Sequence, residues 1–383
     1  MNIPPSKITS EQVTIFSEMS ALASKYDAIN LGQGFPDYDP PDTLIEIIKK
    51  HLADHKNQYA PMPGIVKLLE AISEKLYHSY QNHVHPESEI TVTAGATQAI
   101  FTAINAFVHK GDEVIIFEPA YDCYRPSIEI AGGKAVIYTM NAPDFSINWK
   151  MVKALITSKT RMIIINTPHN PTGSVLNEFD LLCLSDAVKE TDIIILSDEV
   201  YEHLIFDGKP HQSVIKYKEL FSRSLCVYSF GKTFHATGWK IGYIVGPAYL
   251  MKEFRKIHQW NVFSVNSFLQ YALAEHLQDK SNYEYLPDFY QQKRDYFLKI
   301  LSKTAFRPLP CSGTYFQVVD FSAISNLDDY SFAREMTIKY KVAAIPLSPF
   351  YSTKTESRLI RFCFAKTQGM LDAAGEKLTR IDR

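Results

Sequence analysis

The sequence contains no apolar run near the roughly 20 residues that a membrane-spanning helix needs. Its opening stretch, Met1-Asn-Ile-Pro-Pro-Ser-Lys-Ile-Thr-Ser10, lacks the apolar centre of a secretion signal, which predicts a cytosolic protein. Cysteine is scarce. The five residues, at 123, 183, 226, 311 and 363, are odd in number, far apart and without a Cys-x-x-Cys pair, so they read as reduced thiols rather than a disulfide framework or zinc site. No metal is expected. Blocks of basic residues are missing as well, and 40 basic against 42 acidic side chains leave a formal charge of -2, which argues against a nucleic-acid partner. Internal repeats and low-complexity tracts are also absent.

What is present is an ordinary globular composition, 46% hydrophobic and 21% charged over 383 residues, enough for one large domain or two that share an interface. A helical stretch from Glu11 to Tyr26 opens the chain, followed by the glycine- and proline-dense loop Asn30-Leu-Gly-Gln-Gly-Phe-Pro-Asp-Tyr-Asp-Pro-Pro-Asp42. From Thr43 the pattern alternates. Helices are expected at 43–54, 64–81, 97–109, 178–189 and 248–277, with apolar strands at 89–93, 113–117, 135–138, 161–165, 192–196, 225–228 and 241–245. This is the signature of an α/β fold with a mostly parallel seven-stranded sheet, whose ligands bind beyond the carboxyl ends of the strands. Beyond Asn282 the alternation gives way to a long amphipathic segment, 283–304, a helix at 330–340 and strands at 342–346 and 359–364. The division expected is a large domain over 43–281 and a smaller α+β domain made from 1–42 and 282–383.

The unusual residues fall at strand ends. After the first strand, Ala94-Gly-Ala-Thr-Gln98 opens a helix, and the amides of Ala96 and Thr97 form an anion cup there, although many strand-helix turns look the same. Tyr121, in Glu118-Pro-Ala-Tyr-Asp-Cys-Tyr124, can stack on a flat ring or simply fill the core. Prolines 168 and 171 fix the loop Asn166-Thr-Pro-His-Asn-Pro-Thr-Gly173 and free the Asn170 amide. Asp198 ends an almost wholly apolar strand, where a buried carboxylate is costly without a cation. Arg361 lies inside an apolar strand and needs an anion, for which a structural salt bridge is the simpler source.

One lysine draws these together. Lys232 sits in Tyr228-Ser-Phe-Gly-Lys-Thr-Phe-His-Ala-Thr-Gly-Trp-Lys-Ile-Gly-Tyr243, with Ser229 three residues before it, Lys240 eight after, and glycines 231, 238 and 242 around it. A glycine-flanked lysine is usually an ordinary turn with a solvated charge. Hydroxyl, cation and open backbone amides are also what a phosphate needs, and an amine beside a phosphate site suits a phosphorylated aldehyde such as pyridoxal 5'-phosphate (PLP).

Ser-x-x-Lys with Gly-x-Lys-x-Gly, together with Asn170-Pro-Thr-Gly173 and Asp198-Glu-Val-Tyr201, resembles the constellation of class I (fold type I) PLP-dependent aminotransferases over nearly the whole chain, with lysine at 240 where many members carry arginine. The resemblance implies that Lys232 holds PLP as a Schiff base and then moves the substrate's α-proton, and that Asp198 keeps the ring nitrogen protonated. Asn170 and Tyr201 would bond the ring's phenolic oxygen, Tyr121 would stack, and Ser229, Lys240, Ala96 and Thr97 would cradle the phosphate. Arg361 would clamp the substrate carboxylate, with Gly34 beside it. Tyr59 would reach the partner subunit's phosphate, which implies a homodimer with shared sites.

A dicarboxylate substrate would need a second cation, and none is identifiable. Phe16, Tyr121 and Phe263 instead predict an apolar, aromatic substrate pocket. The segments are most similar to the branch of bacterial methionine and kynurenine/glutamine aminotransferases, which implies methionine and aromatic amino acids as donors and 2-oxo acids as acceptors in a ping-pong reaction. The alternative is a PLP-dependent cysteine-conjugate or cystathionine β-lyase, which would share Lys232 and Asp198. A PLP-sensing regulator would need an added DNA-binding domain, for which no basic extension before Asn30 is available.

Overall fold

A computed structural model of the chain describes residues 6–8, 14–353 and 355–381. The first helix, Ile15–Lys25, is capped by Thr14, whose hydroxyl accepts from the Ser17 amide, and leads into β1 (Ile29–Asn30). The earlier part of the expected helix, Glu11 to Val13, lies outside the described residues. Seven further strands, β2 (Ile90–Thr93), β3 (Glu113–Glu118), β4 (Lys134–Thr139), β5 (Thr160–Asn166), β6 (Ile194–Asp198), β7 (Ser224–Ser229) and β8 (Gly242–Val245), form one sheet in the order β2-β8-β7-β6-β5-β3-β4. Isoleucine, valine and leucine dominate β3, β5, β6 and β7 because both faces of a sheet covered by helices are withdrawn from water.

Within this sheet only β8 is reversed, pairing antiparallel with both β2 and β7. The connection from β7 to β8, residues 230–241, carries only a turn of α-helix and a short 3-10 turn, no crossover helix able to return the chain to the other end of the sheet. It therefore loops over the carboxyl end and comes straight back. Ser229 pairs with Gly242, which brings Ser229, Lys232 and Lys240 to a single edge. Gly242 is required there: a Cβ would stand 2.4 Å from the Tyr228 carbonyl oxygen and 3.4 Å from the Ala96 amide nitrogen.

The later strands are β9 (Arg307–Pro308), β10 (Phe316–Asp320), β11 (Val342–Ala343), β12 (Ile345–Pro346) and β13 (Leu359–Cys363). Four of them make an antiparallel sheet in the order β12-β13-β10-β9, while β11 pairs in parallel with β1. The expected single strand at 342–346 is thus divided, with the chain changing sheets at Ala344. In the same way the expected helix at 248–277 is two helices, Ala248–Asn261 and Ser267–His276. The residues between, Val262-Phe-Ser-Val-Asn266, combine β-branched side chains with a serine and an asparagine that favour caps over helix interiors, and Phe263 takes φ +65°. The amphipathic segment 283–304 forms its long helix only over Leu286–Leu301, where Pro287 suits a first turn. At 330–340 an α-helix, Asp329–Glu335, continues as one π turn, Met336–Tyr340.

Candidate active site

The carboxyl ends of β5, β6 and β7, the turn after β2 and the loop after β1 enclose a cavity of about 430 Å³. Asp198, the last residue of β6, lines it between neighbours Asn166 of β5 and Val227 of β7. The Tyr124 hydroxyl donates to its Oδ2 at 2.6 Å and the Val200 amide to its Oδ1 at 3.3 Å, so neither partner carries a charge. Burial pushes the carboxyl up to about 6, against the pull of the Tyr124 hydrogen bond.

Lys232 reaches the same cavity from the turn Phe230–Thr233. Its Nζ donates to the Tyr315 hydroxyl at 2.8 Å and the Gly34 carbonyl at 3.3 Å, and lies 5.6 and 5.5 Å from the Tyr201 and Tyr315 ring centres. Burial draws the ammonium down to about 8, helped by the charges of Arg361 and Lys240 and opposed by Cys363 and Asp198. An amine in that range has a substantial neutral fraction near neutral pH, the form that attacks a carbonyl.

Arg361, on β13, is fully buried. One guanidinium nitrogen donates to Asn170 Oδ1 at 2.6 Å and another to the Gly32 carbonyl at 3.1 Å, while Nε has no partner. Phe316 lies 3.8 Å from the guanidinium carbon, with Phe16 and Phe350 at 5.3 and 5.4 Å. Burial lowers the group to about 10. A buried cation held by neutral oxygens and aromatic faces, with an unsatisfied donor, is a site that lacks its anion.

At the other end of the cavity Gly95, at φ +80°, turns the chain into the helix Ala96–Phe107, whose first amides have no intrahelical acceptors. Ala96, Thr97, Ser229 and Lys240 all line this corner, and the Lys240 side chain passes 3.5 Å from where a Cβ on Gly95 would stand. Tyr121 lines the wall, its hydroxyl 3.4 Å from Thr97 Oγ1 and its ring edge-to-face with Tyr124. Phe16, Gly34, Asn170 and Tyr201 line the cavity too.

Tyr59 and Phe263 do not line this cavity. Tyr59 is 84% exposed and Phe263 46% exposed, packed on each other with ring centres 5.5 Å apart and away from this chain's own cavity. The break after Asn261 turns Phe263 away from the cavity of its own chain. Conversely, Tyr124, Tyr315, Phe316 and Phe350 contact Asp198, Lys232 or Arg361 without having been singled out from the sequence. Tyr124 stands three residues after Tyr121 at the start of helix Tyr124–Ile130, and Tyr315-Phe316 leads into β10; aromatics next to strand and helix ends were the available signal.

The residues present suit PLP. A cavity with an amine of lowered basicity, a carboxylate without a cation, an open helix N-terminus with hydroxyls and a lysine, and a buried arginine without an anion matches a phosphorylated aldehyde with a basic ring nitrogen and a carboxylate-bearing substrate.

Comparison with known proteins gives a consistent result. The family model for aminotransferase class I and II matches residues 26–378. Over 380 residues, covering 99% of this chain and 98% of the relative, the sequence is 47% identical to a methionine aminotransferase of Escherichia coli. It is 35% identical over 396 residues to human kynurenine–oxoglutarate transaminase 3, covering 94% of this chain and 87% of the relative. A crystal structure from Escherichia coli, described as identifying a methionine aminotransferase function, superposes with a TM-score of 0.96 at 47% identity over 99% of this chain and all of the other. The chain belongs to the class I and II aminotransferase family and is an aminotransferase of fold type I.

Proposed function

We propose that the chain uses PLP to move the amino group of methionine and aromatic amino acids to 2-oxo acids in two half-reactions. The observation that carries this is the facing of Lys232 and Asp198 across one cavity, with Arg361 buried and short of an anion beside them. Lys232 would hold the cofactor's aldehyde covalently. With its amine free, Lys232 would act as the base that takes the proton from the substrate's α-carbon and as the acid that gives it back. Asp198 would face the cofactor's ring nitrogen and keep it protonated, the two opposite charges offsetting the cost that burial places on the carboxylate. When bound, the cofactor's ring supplies a sink for the electrons left as the α-carbon loses its proton.

Asn170 uses its amide oxygen on Arg361, which leaves the amide nitrogen as a donor for the ring's phenolic oxygen, alongside the Tyr201 hydroxyl. Arg361 clamps the substrate carboxylate with parallel hydrogen bonds, next to Gly34. The helix start at Ala96 and Thr97, with Ser229 and Lys240, would hold the phosphate, and Tyr121 would stack on the ring.

Substrate choice follows from what the cavity offers. Its lining cations among the described residues are Lys232, Lys240 and Arg361, each already occupied in this scheme, so the distal carboxylate of aspartate would meet no positive charge. Phe16, Tyr121 and Phe316, which line the cavity, favour an apolar or aromatic side chain. The relatives that match are named as transaminases, and no feature of the site favours the β-lyase reading.

The same proposal includes a homodimer in which Tyr59 and Phe263 complete the neighbouring subunit's site, a cofactor-holding unit at 43–281 with a closing unit from 1–42 and 282–383, and a cytosolic setting suited to five free cysteines. Among the described residues no helix is long and apolar enough to cross a membrane. The test is a donor panel on the loaded protein, followed by the spectral change from the pyridoxal to the pyridoxamine form. Methionine and phenylalanine should drive it fastest; aspartate driving it equally well would overturn the substrate assignment.

A further inference from the structure

Lys232 must hold and release a proton while unattached, and one of its two hydrogen-bond partners in that condition, Tyr315, lies outside the motifs that identify the family. The Tyr315 hydroxyl donates to the Gly34 carbonyl at 2.6 Å. A phenol has one proton, so with that proton committed, its oxygen can only accept from Lys232, at 2.8 Å. The Gly34 carbonyl takes a second hydrogen from the same nitrogen at 3.3 Å. Two neutral acceptors thus meet the amine, fixed to each other by a third hydrogen bond.

The phenol has little freedom to leave. Tyr315 is fully buried, its ring held edge-to-face by Tyr201 and Phe316 at centre distances of 5.2 and 4.8 Å, and it lies 5.9 Å from Tyr290. Its main chain is tied down as well, the carbonyl accepting from the Phe364 amide at 3.0 Å. Burial holds the phenol well above its ordinary range, so it stays protonated, with the Gly34 carbonyl at 2.6 Å as the acceptor for its hydrogen. The loop that supplies Gly34 also supplies the Gly32 carbonyl to Arg361.

We propose that Tyr315 is a positioning residue for the reaction: with the Gly34 carbonyl it forms a docking station that seats the free Lys232 amine between its turns at the cofactor and at the substrate's α-carbon. The proposal rests on the PLP reading of the site for its role in turnover, but the station itself is a property of the chain without cofactor. Besides Tyr315, the titratable and charged groups that face Lys232 are Asp198 at the end of β6, Tyr201 after it, Lys240 before β8, and Arg361 and Cys363 on β13. Of these only Asp198 and Cys363 raise its basicity, and neither hydrogen-bonds the amine. Removing the phenolic oxygen therefore takes away a bonded acceptor that favours the ammonium form, and the amine should become less basic.

The experiment uses cofactor-free full-length protein. Competitive amine labelling across pH, read by mass spectrometry of the peptide containing Lys232, gives the midpoint of its titration. In Tyr315→Phe that midpoint should fall by about one pH unit, roughly a tenfold change in the ammonium equilibrium, as expected for a lost hydrogen bond to a charged group. Tyr290→Phe removes a neighbouring buried hydroxyl that bonds His235 and does not touch Lys232, and should leave the midpoint in place. In the PLP-loaded protein, Tyr315→Phe should lower kcat about tenfold with KM for methionine within about twofold and enlarge the isotope effect from an α-deuterated donor. An unmoved Lys232 midpoint in Tyr315→Phe, or an equal fall in Tyr290→Phe, overturns the station. Failure of the wild-type chain to attach PLP at Lys232 would instead contradict the functional reading and leaves the titration result standing by itself.

Discussion

At Asp198 the pH dependence of folding has a definite sign. Its carboxyl titrates near 3.8 in an unfolded chain and about 6 in the cofactor-free fold. Between those values the folded state keeps a proton that the unfolded state has lost, so stability falls as pH rises and the contribution is gone above about 6. A shift of this size corresponds to on the order of 2–3 kcal/mol. Asp198→Asn cannot ionise, so in cofactor-free protein it should gain stability relative to the parent by up to that amount between pH 4 and 7, measured by denaturant unfolding. A difference independent of pH would contradict the burial of an ionising carboxylate. Tyr124→Phe removes the hydroxyl that favours the charged form and should move the window upward by about one pH unit. That Lys232, Asp198, Asn170 and Arg361 would gather at one cavity was legible in the sequence: Asp198 ends an apolar strand, Arg361 lies inside one, and Lys232 and Asn170 sit in the glycine- and proline-marked turns just beyond two others. Tyr124 and Tyr315 were not, since a tyrosine in such a place is as well explained by packing.

Among the elements, two glycines separate what holds the sheet edge from what merely packs helices. Gly242 has no room for a methyl group against the Tyr228 carbonyl, and that backbone is paired in the ladder between β7 and β8. Gly242→Ala should cost about 2–3 kcal/mol, within the range for overpacking, and also weaken PLP uptake because the Ala96 amide is the next neighbour. Gly375, in helix Gln368–Leu378, meets Ile300 of helix Leu286–Leu301, where a Cβ would lie 2.6 Å from a branched methyl. Gly375→Ala should cost about 1 kcal/mol after the gain in helix propensity and leave PLP uptake unchanged. Thermal unfolding with and without PLP reads both. Glycines also explain why helix Gln368–Leu378 escaped the sequence pattern: Gly369 and Gly375 weaken its helical signal, and the second is present for close helix contact. The strands were easier to read, since each buried run of β-branched residues is short and bounded by turns.

Across the molecule, the exposed aromatics Tyr59, Trp260 and Phe263 lie on two segments joined by hydrogen bonds from Ser264 Oγ to the Ala60 carbonyl at 2.9 Å and from Ser267 Oγ to the Gln58 carbonyl at 2.6 Å. Trp260 is 84% exposed, an unusual place for an indole on a lone subunit. If the proposed homodimer forms through this face, Trp260→Glu should shift the protein toward monomer in sedimentation at micromolar concentration and lower activity at least about tenfold. Full activity in a clean monomer would contradict shared sites. Such a surface is barely visible in sequence, where an exposed aromatic and a buried one look alike; the helix break that turns Phe263 outward depends on packing of the two segments it separates.

The most direct test of the central claim is where the aldehyde attaches. The protein is loaded with PLP, reduced with borohydride, digested and mapped by mass spectrometry. The account predicts the phosphopyridoxyl mass on the peptide carrying Lys232 in stoichiometric amount, lost in Lys232→Ala. The tag on another lysine, or none under conditions where the protein transaminates methionine, would contradict it.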